Sequence, residues 1–535
     1  MFVACMIVGA AVPAIGQSGA ANGEWRVYGG DLGHTRYSPL DQIDAANFSK
    51  LEVAWRFKTD SLGPRPEYQF ESTPLMARGR LYSTAGSRRA VVALDAGTGE
   101  LLWMHSENEG ARGAAAPRQL SGRGLAYWTD GRDERILYVT PGYRLIALDA
   151  RTGIAVTSFG KSGVVDLKLD DDQQMDLITG EIGLHSTPMV AKDVVIVGGA
   201  RTPMTEYVGA FKDVSALELG ARAARAALER TATRPEWIDH VVMGNALQTS
   251  GDAVYGARHV GLKAGIPVEV PALTVNRLCG SGIQSVVSAA HMIRLGESGL
   301  ALAGGMENMT QAPHVIRGAR TGLRLGEGKL EDSLMVALLD TQCGLYMAQT
   351  SDNLARRHGI TREAMDAYAL RSQQAAAAAV KAGVFKEEIV PVEVSQGRKT
   401  VTVDADDHMR PETTLERLAA LKPSFGKDSF VTAGNASGIV DGAAALVVAD
   451  ADEARRRGLK PLARVVSWGV AGVPPEIMGI GPVPASRKAL EAAGLSMKDM
   501  DLVEVNEAFA GQYLAVEKEL GLDRARTNVN GGAIA

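Results

Sequence analysis

Cysteine is scarce in this chain. Cys5, Cys279 and Cys343 are too few and too scattered for a disulfide framework or a zinc site. Aromatic residues reach only 5%, and four of the six tryptophans precede residue 130, with only Trp237 and Trp468 after it. That thinning is the first sign of two unlike pieces. Positive charge is in deficit: a net charge of -5 and no basic stripe leave no electrostatic footprint for nucleic acid or an anionic membrane. The apolar run at residues 1–16 is too short to span a bilayer comfortably. No basic residue precedes it, so with the small residues at Ser18-Gly19-Ala20-Ala21 it reads either as an export signal or as a merely apolar N-terminus. The length of 535 residues leaves room for several domains, each able to bury its own core.

From Trp25 to about Val190 the pattern is one of short strands broken by Gly, Pro and Asp. Val91-Val-Ala-Leu-Asp-Ala-Gly-Thr-Gly-Glu-Leu-Leu-Trp103 and Leu145-Ile-Ala-Leu-Asp-Ala-Arg-Thr-Gly-Ile-Ala155 echo each other. Each predicts a strand, an Asp-x-x-Thr-Gly turn and a return strand, repeating after roughly 54 residues, as in a propeller. Asp95 and Asp149 are suited to accept hydrogen bonds from the turn amides, and Gly99 and Gly153 to supply positive φ. Glu71-Ser-Thr-Pro-Leu-Met76 is echoed by His185-Ser-Thr-Pro-Met-Val190.

After Gly199 the chain alternates apolar strands with Ala-rich helices, which predicts an α/β fold. Val194–Val197, Ile238–Asn245 and Pro271–Val275 read as strands, and Leu217 to Leu228 as a helix. Val483–Ala493 reads as a helix and Met500–Asn506 as a strand, suggesting an internal duplication in which each half carries its own sheet. Two long helices are expected at about 347–358 and 362–382.

Asn276-Arg-Leu-Cys-Gly-Ser-Gly282 turns the Pro271–Val275 strand into a helix with Ile283, Val286, Val287, Ala290 and Ile293 at helical spacing. Cys279 therefore sits at or just before a helix N-terminus, where unpaired N–H groups favour an anion and a thiol ionises more readily. Its own N–H is placed to help bind an oxyanion. Val431-Thr-Ala-Gly-Asn-Ala-Ser-Gly-Ile-Val-Asp-Gly-Ala443 is a Gly/Ser loop feeding the strand Ala444–Val448, where a long ligand could lie against backbone. Val505-Asn-Glu-Ala-Phe-Ala510 puts an amide and a carboxylate at a strand end, where site residues of α/β folds collect. Ala303-Gly-Gly-Met-Glu-Asn308 closes a further strand, with Glu307 open to a structural reading.

Two resemblances follow from these residues. Gly23-Glu-Trp-Arg-Val-Tyr-Gly-Gly-Asp31, the Asp-x-x-Thr-Gly turns and Gly183-Leu-His-Ser-Thr-Pro188 resemble the start of pyrroloquinoline-quinone-dependent dehydrogenases, whose ring has roughly eight blades. Only about two blades' worth lies in 23–193, and the second repeat has Thr157 in the place of Trp103. Quinone (PQQ) binding is accordingly not expected, since it draws on many blades around a closed channel. The motifs Asn-x-x-Cys-Gly-Ser-Gly, Ala-Gly-Gly-Met-Glu, Ala-Gly-Asn-Ala-Ser-Gly-x-x-Asp-Gly-Ala and Asn-Glu-Ala-Phe-Ala, in that order, resemble the thiolase family over 194–535.

The second resemblance implies a five-layered αβαβα fold, incomplete at the C-terminus, with core halves at 194–305 and 426–535 and a loop domain at 306–425. It implies acyl transfer between acyl-CoA or 3-oxoacyl-CoA thioesters, with coenzyme A as a substrate, no tightly bound cofactor, no metal, and a homodimer or tetramer. Position by position, Cys279 matches the acylated nucleophile and Asn506 the residue holding an oxyanion-hole water. Ser437 matches a pantetheine contact, and Phe425, Met347, Ala508 and Phe509 match its tunnel lining. Tyr346 stands where many members carry a His near the coenzyme. The family's Gly-His-Pro and Cys-Gly-Gly segments do not fall within residues 1–535, so impaired turnover is expected. The competing expectations are a periplasmic quinoprotein dehydrogenase fragment and a non-catalytic chimeric protein. Coenzyme A chemistry points to the cytoplasm, an export signal to the periplasm.

Overall fold

A computed structural model of the chain describes residues 20, 23–31, 34–129, 132–169, 175–182, 187–190 and 192–535. The apolar run at 1–16 and the 183–186 portion of the second echo lie outside the described residues. The chain divides into two compact units, Met1–Lys192 and Asp193–Ala535. Among the described residues no helix is long and apolar enough to cross a membrane.

The first unit holds two four-stranded antiparallel meanders. Strands β1 (Leu75–Ala77), β2 (Arg80–Ala85), β3 (Ala90–Asp95) and β4 (Leu101–His105) pair in that order. So do β5 (Ala126–Thr129), β6 (Glu134–Val139), β7 (Arg144–Asp149) and β8 (Val164–Asp166), with a short helix α1 (Gly110–Ala114) between the sheets. Both repeat turns are built alike. Asp95 Oδ1 accepts the Gly97 and Thr98 N–H groups at 3.0 and 2.9 Å, and Asp149 Oδ1 accepts those of Arg151 and Thr152 at 3.0 and 2.9 Å. Gly99 and Gly153 have φ of 73° and 72°, a conformation that side chains with a Cβ rarely adopt. Trp55 lies over Gly99 and donates to Ala96 O at 3.1 Å; Trp103 lies over Gly153 and donates to Ala150 O at 3.1 Å. The Asp hydrogen bonds alone recur at Asp176-Leu-Ile-Thr-Gly180, unforeseen from the sequence, where Asp176 accepts the Ile178 and Thr179 N–H groups at 3.0 and 2.6 Å.

The second unit is built on one sheet in the order β12-β11-β13-β20-β9-β21, with β10 paired to β20. Its strands are β9 (Val194–Arg201), β10 (Thr205–Glu206), β11 (His240–Gly244), β12 (Ala272–Val275), β13 (Leu300–Glu307), β20 (Val440–Asp450) and β21 (Ala463–Val465). Side chains alternate across it. Val241, Met243, Leu300 and Leu302 pack with helix α2 (Ala216–Arg230), and α3 (Gly256–Lys263) joins them through Ala257 and Val260. Val242, Ala301, Ala303 and Val448 pack with α4 (Ser281–Leu295) through Ala289, Ala290 and Ile293. Each fully buried Val, Leu, Ile or Met among them contributes roughly 1.5–3 kcal/mol, and the alanines less.

The intervening region carries the hairpins β14 (His314–Ile316)/β15 (Leu330–Asp332), β16 (Leu339–Asp340)/β17 (Leu345–Tyr346) and β18 (Val392–Gln396)/β19 (Lys399–Val403), with short helices α5 (Ser333–Ala337) and α8 (Leu415–Ala419). Helix α9 (Ala451–Arg456) follows β20. The long helices are α6 (Met347–His358) and α7 (Arg362–Ala382), ended by Gly359 and Gly383 at φ 65° and 77°. With α11 (Ala510–Leu520) they form a separate core around Met365, Tyr368, Tyr513 and Leu514, while α10 (Pro482–Ala493) packs Val483 with Val516 and Leu522.

Two expectations fail here. Residues 440–450, read as part of the second half, lie in the first half's sheet between β13 and β9. Strand β20 is largely buried and apolar, so a central place with neighbours on both edges suits it. Residues 500–506 form no regular strand; they make a single bridge at Val503 to Thr527. Beyond it the side chain of Asn528 stands in for a neighbouring strand, accepting Val505 N–H at 2.8 Å and donating to Val505 O at 2.8 Å.

Glu507 anchors the chain around this point. Wholly buried, it accepts Tyr368 Oη (2.6 Å), Ser372 Oγ (2.6 Å), Asn528 Nδ2 (2.9 Å) and Ile534 N–H (3.2 Å). Burial, with the charge and hydrogen bond of Glu507, drives the Tyr368 hydroxyl well above its usual pKa, so it remains a donor. Glu507→Ala would leave these donors buried without an acceptor and cost at least about 3 kcal/mol. In urea titrations followed by far-UV circular dichroism, the transition of the second unit should move to lower urea while that of the first unit stays in place.

Candidate active site

Three parallel strands, β11, β12 and β13, end at Gly244, Val275 and Glu307, on the same edge of the sheet. Cys279 lies on the turn leaving β12, just before α4 with Gly280 at its N-cap. The helix start is drawn tightly onto this edge. A Cβ at Gly244 would fall 2.6 Å from the backbone carbon of Ser281, and one at Gly305 would be 3.6 Å from Gly282 Cα. Only glycine at 244 permits that approach.

The turn itself is strained and stapled. Leu278, immediately before Cys279, has φ 47°. A non-glycine residue there costs about 1–3 kcal/mol and persists only where neighbours enforce it. Ser281 Oγ accepts Arg277 N–H at 2.8 Å and donates to Leu278 O at 2.6 Å. Asn276 Oδ1 accepts Leu278 N–H at 2.9 Å, and Asn276 Nδ2 donates to Ala246 O at 3.1 Å. Sequence reasoning quoted Asn276 and Ser281 as part of a motif without assigning them this work. The signal was available, since short polar side chains flanking a glycine turn are natural turn staples.

Glu307 is the counterpart at the end of β13. It accepts Asn245 Nδ2 (2.9 Å), Ala246 N–H (2.8 Å) and Leu247 N–H (3.0 Å), tying the loop after β11 to β13. Burial raises its pKa against the pull of those two amides. Asn245 Oδ1 is buried with no partner among the described residues.

The thiol differs from the expectation of easy ionisation. Cys279 is exposed at its surface, yet enough protein surrounds the sulfur that desolvation pushes its pKa up. Its own backbone amide opposes that shift and the Glu307 charge adds to it. Desolvation outweighs the amide. Ile283, read as part of the apolar helical stripe, is 75% exposed.

The other predicted residues gather around the segment leading into β20. Ser437 N–H donates to Ala508 O at 3.0 Å, and Ala436 bridges Phe509. Phe425 and Phe509 pack against the α6/α7/α11 core, and the Tyr346 and Phe425 rings are 5.6 Å apart. Tyr346 caps α6, where Met347 is the first residue, half-buried. Asn506 is exposed, next to the anchored Glu507. Ser437 and Gly442, which pairs with Glu307, lie on one stretch of chain, so that stretch links this group to the edge carrying Cys279. Among the described residues no group of His, Cys, Asp and Glu could hold a metal ion.

Comparison with known proteins gives three family matches: "Thiolase, N-terminal domain" over residues 194–452, "Thiolase, C-terminal domain" over 459–535, and "Glucose/ethanol/alcohol dehydrogenase, beta-propeller domain" over 25–219. The first and third overlap at 194–219, and the pairing of β9 with β20 and β21 puts 194–201 in the second unit's sheet. The chain is 54% identical to human mitochondrial 3-ketoacyl-CoA thiolase over 345 residues, covering 64% of this chain and 87% of that protein. It is 49% identical to a beta-ketothiolase of Cupriavidus necator over 348 residues, covering 65% and 88%. The crystal structure of the human enzyme in complex with CoA matches with a TM-score of 0.63 at 54% identity, covering 64% of this chain and 86% of that one. The acetyl-CoA acetyltransferase structure from Bacillus anthracis matches with a TM-score of 0.63 at 44% identity, covering 64% and 87%.

The electrostatics of the thiol can be read directly. Alkylation of Cys279 by iodoacetamide, followed by peptide mass mapping against pH, should pass through a midpoint above that of a free thiol. Glu307→Gln should lower that midpoint, because it removes a negative charge opposing the thiolate. A midpoint below the free-thiol range would contradict the burial described.

Proposed function

Because the chain belongs to the thiolase family, and is an acyltransferase by class, we propose that Cys279 is the group acylated by a coenzyme A thioester. The observation that carries this reading is the stapled turn holding Cys279, an exposed residue, at the head of α4, on the carboxyl edge of parallel strands. The thiolate attacks the carbonyl carbon of an acyl-CoA, and the carbonyl electron pair moves onto oxygen. Backbone N–H groups at the turn stabilise that developing charge. Collapse expels the coenzyme A thiolate and leaves acyl-Cys279. With a 3-oxoacyl-CoA the bond broken is that between C2 and C3, and the departing two-carbon unit takes up a proton as acetyl-CoA.

In this reading Asn506, next to the anchored Glu507, orients a water toward the carbonyl oxygen. Ser437 meets the pantetheine arm, with Phe425, Tyr346, Met347, Ala508 and Phe509 as its apolar lining. Coenzyme A is a dissociable substrate in this reading, and the chemistry belongs to a cytoplasmic or matrix compartment. No quinone is assigned to the first unit. Arg89, in its cleft of about 400 Å³ lined also by Arg65 and Glu71, spends its guanidinium on the carbonyls of Leu120, Val139 and Arg118.

The protein pairs with a second copy through β12. That strand is one edge of the sheet, with Leu273 39% exposed on it and Val268 and Leu278 exposed beside it. Edge strands with apolar side chains favour pairing with another chain, and a twofold axis satisfies both copies at once.

Incubation with radiolabelled acetyl-CoA should leave label on the wild-type chain and none on Cys279→Ser. Equal labelling of both would sink the acyl-enzyme reading. In light scattering, Leu273→Asp should shift the protein toward the monomer mass, whereas an unchanged mass would place the contact elsewhere.

A further inference from the structure

His408 lies on residues 404–411, which follow β19 and cross over β10. That segment is pinned on both sides of the imidazole. Asp406 takes the Arg201 guanidinium in two hydrogen bonds of 2.7 and 2.9 Å and accepts Met204 N–H at 2.8 Å. Asp407 accepts Glu206 N–H at 2.6 Å. On the far side, Arg410 N–H donates to Gln373 Oε1 at 2.7 Å, and the Arg410 guanidinium pairs with Glu206. Gln373 in turn donates to Ile534 O at 2.8 Å.

Between these clamps, His408 Nδ1 sits 3.0 Å from Glu206 Oε1. A carboxylate offers only acceptors, so Nδ1 carries the hydrogen and the opposite corner of the ring points away from Glu206. That corner meets Gly438. A Cβ on Gly438 would fall 2.6 Å from both Cε1 and Nε2 and 2.8 Å from Cδ2. The ring edge therefore rests on the Gly438 backbone itself, in space that only glycine leaves open. On its other side the same stretch is held by carbonyls: Gly438 N–H donates to Ala533 O at 3.2 Å, and Ser437 N–H to Ala508 O at 3.0 Å. The Ser437–Gly438 peptide is thus gripped between two backbone acceptors and an oriented imidazole.

We propose that His408, held by Glu206, is a positioning residue that sets the Ser437–Gly438 backbone for the pantetheine arm of a coenzyme A thioester. This rests on the thioester reading above and adds to it a residue that touches neither the sulfur nor the acyl group. His408 acts through the loop, so it governs affinity for the coenzyme and leaves the reactivity of Cys279 alone. Removing the ring frees the loop to sample other conformations, and ordering it again on binding weakens affinity.

The test uses the full chain as wild type, His408→Ala and His408→Gln, with coenzyme A itself as the titrant in calorimetry. Iodoacetamide alkylation of Cys279 serves as the readout of the reacting turn. His408→Ala should bind coenzyme A about tenfold more weakly, and His408→Gln, whose amide still reaches Glu206, should stay within about threefold of wild type. Alkylation rates should match wild type in both. Wild-type affinity in His408→Ala would overturn the inference. So would an equal loss of binding in both variants accompanied by a changed alkylation rate, which marks general disruption. Absence of coenzyme A binding by the wild type would overturn the thioester reading itself, an outcome distinct from wild-type binding that is indifferent to His408.

Discussion

The second unit depends on a contact between backbones, that of the first turn of α4 with the carboxyl ends of β11 and β13. Gly244 has no side chain to hold the helix off, so Ser281 comes to rest on the sheet edge, with Gly282 beside Gly305. Helix amides and strand ends then converge where Cys279 leaves its turn. A larger residue at 244 would push the helix start outward and carry the sulfur with it. Ser281 and Asn276 hold the strained Leu278 conformation only because this approach has already been made. The carboxylate of Glu307 completes the edge by fastening the loop after β11 to the end of β13.

Two carboxylates with similar surroundings do different work in this unit. Glu507 is sealed among donors from α7 and the final residues, so it fixes the backbone on which Asn506 and Ala508 sit. Glu307 faces the thiol closely enough for its charge to count. The first serves architecture alone, while the second also tunes the sulfur it adjoins. The cost of ionising Cys279, set first by burial, is thus raised further by the residue that holds its surroundings in register.

Much of this was legible in the residues. The helices α6 and α7 stand out because helix-forming stretches, Ala-rich in α7, end in glycine. The Asp95 and Asp149 turns were readable because Asp, Thr and Gly at fixed offsets leave the backbone few choices. Cys279 was conspicuous because a strand, a glycine turn and a helix meet there. What escaped was non-local. Nothing near Val440 says that this strand joins the sheet of residues 194–305, since that choice depends on partners more than a hundred residues away. The extended run at 500–506 reads as a strand because its apolar alternation is right, but pairing needs a neighbour and it has one only at Val503. The thiol's raised pKa was equally hidden, for burial is a property of the packed chain.

The Asn528 side chain has a chemical vulnerability that follows from its geometry. It offers Val505 one donor and one acceptor, and the same amide nitrogen also serves Glu507. Aspartate in its place would keep the acceptor, delete the donor and set a second carboxylate against Glu507 in a site closed to water. That exchange of one atom group would convert a seal into a source of repulsion, exposing the backbone that carries Asn506.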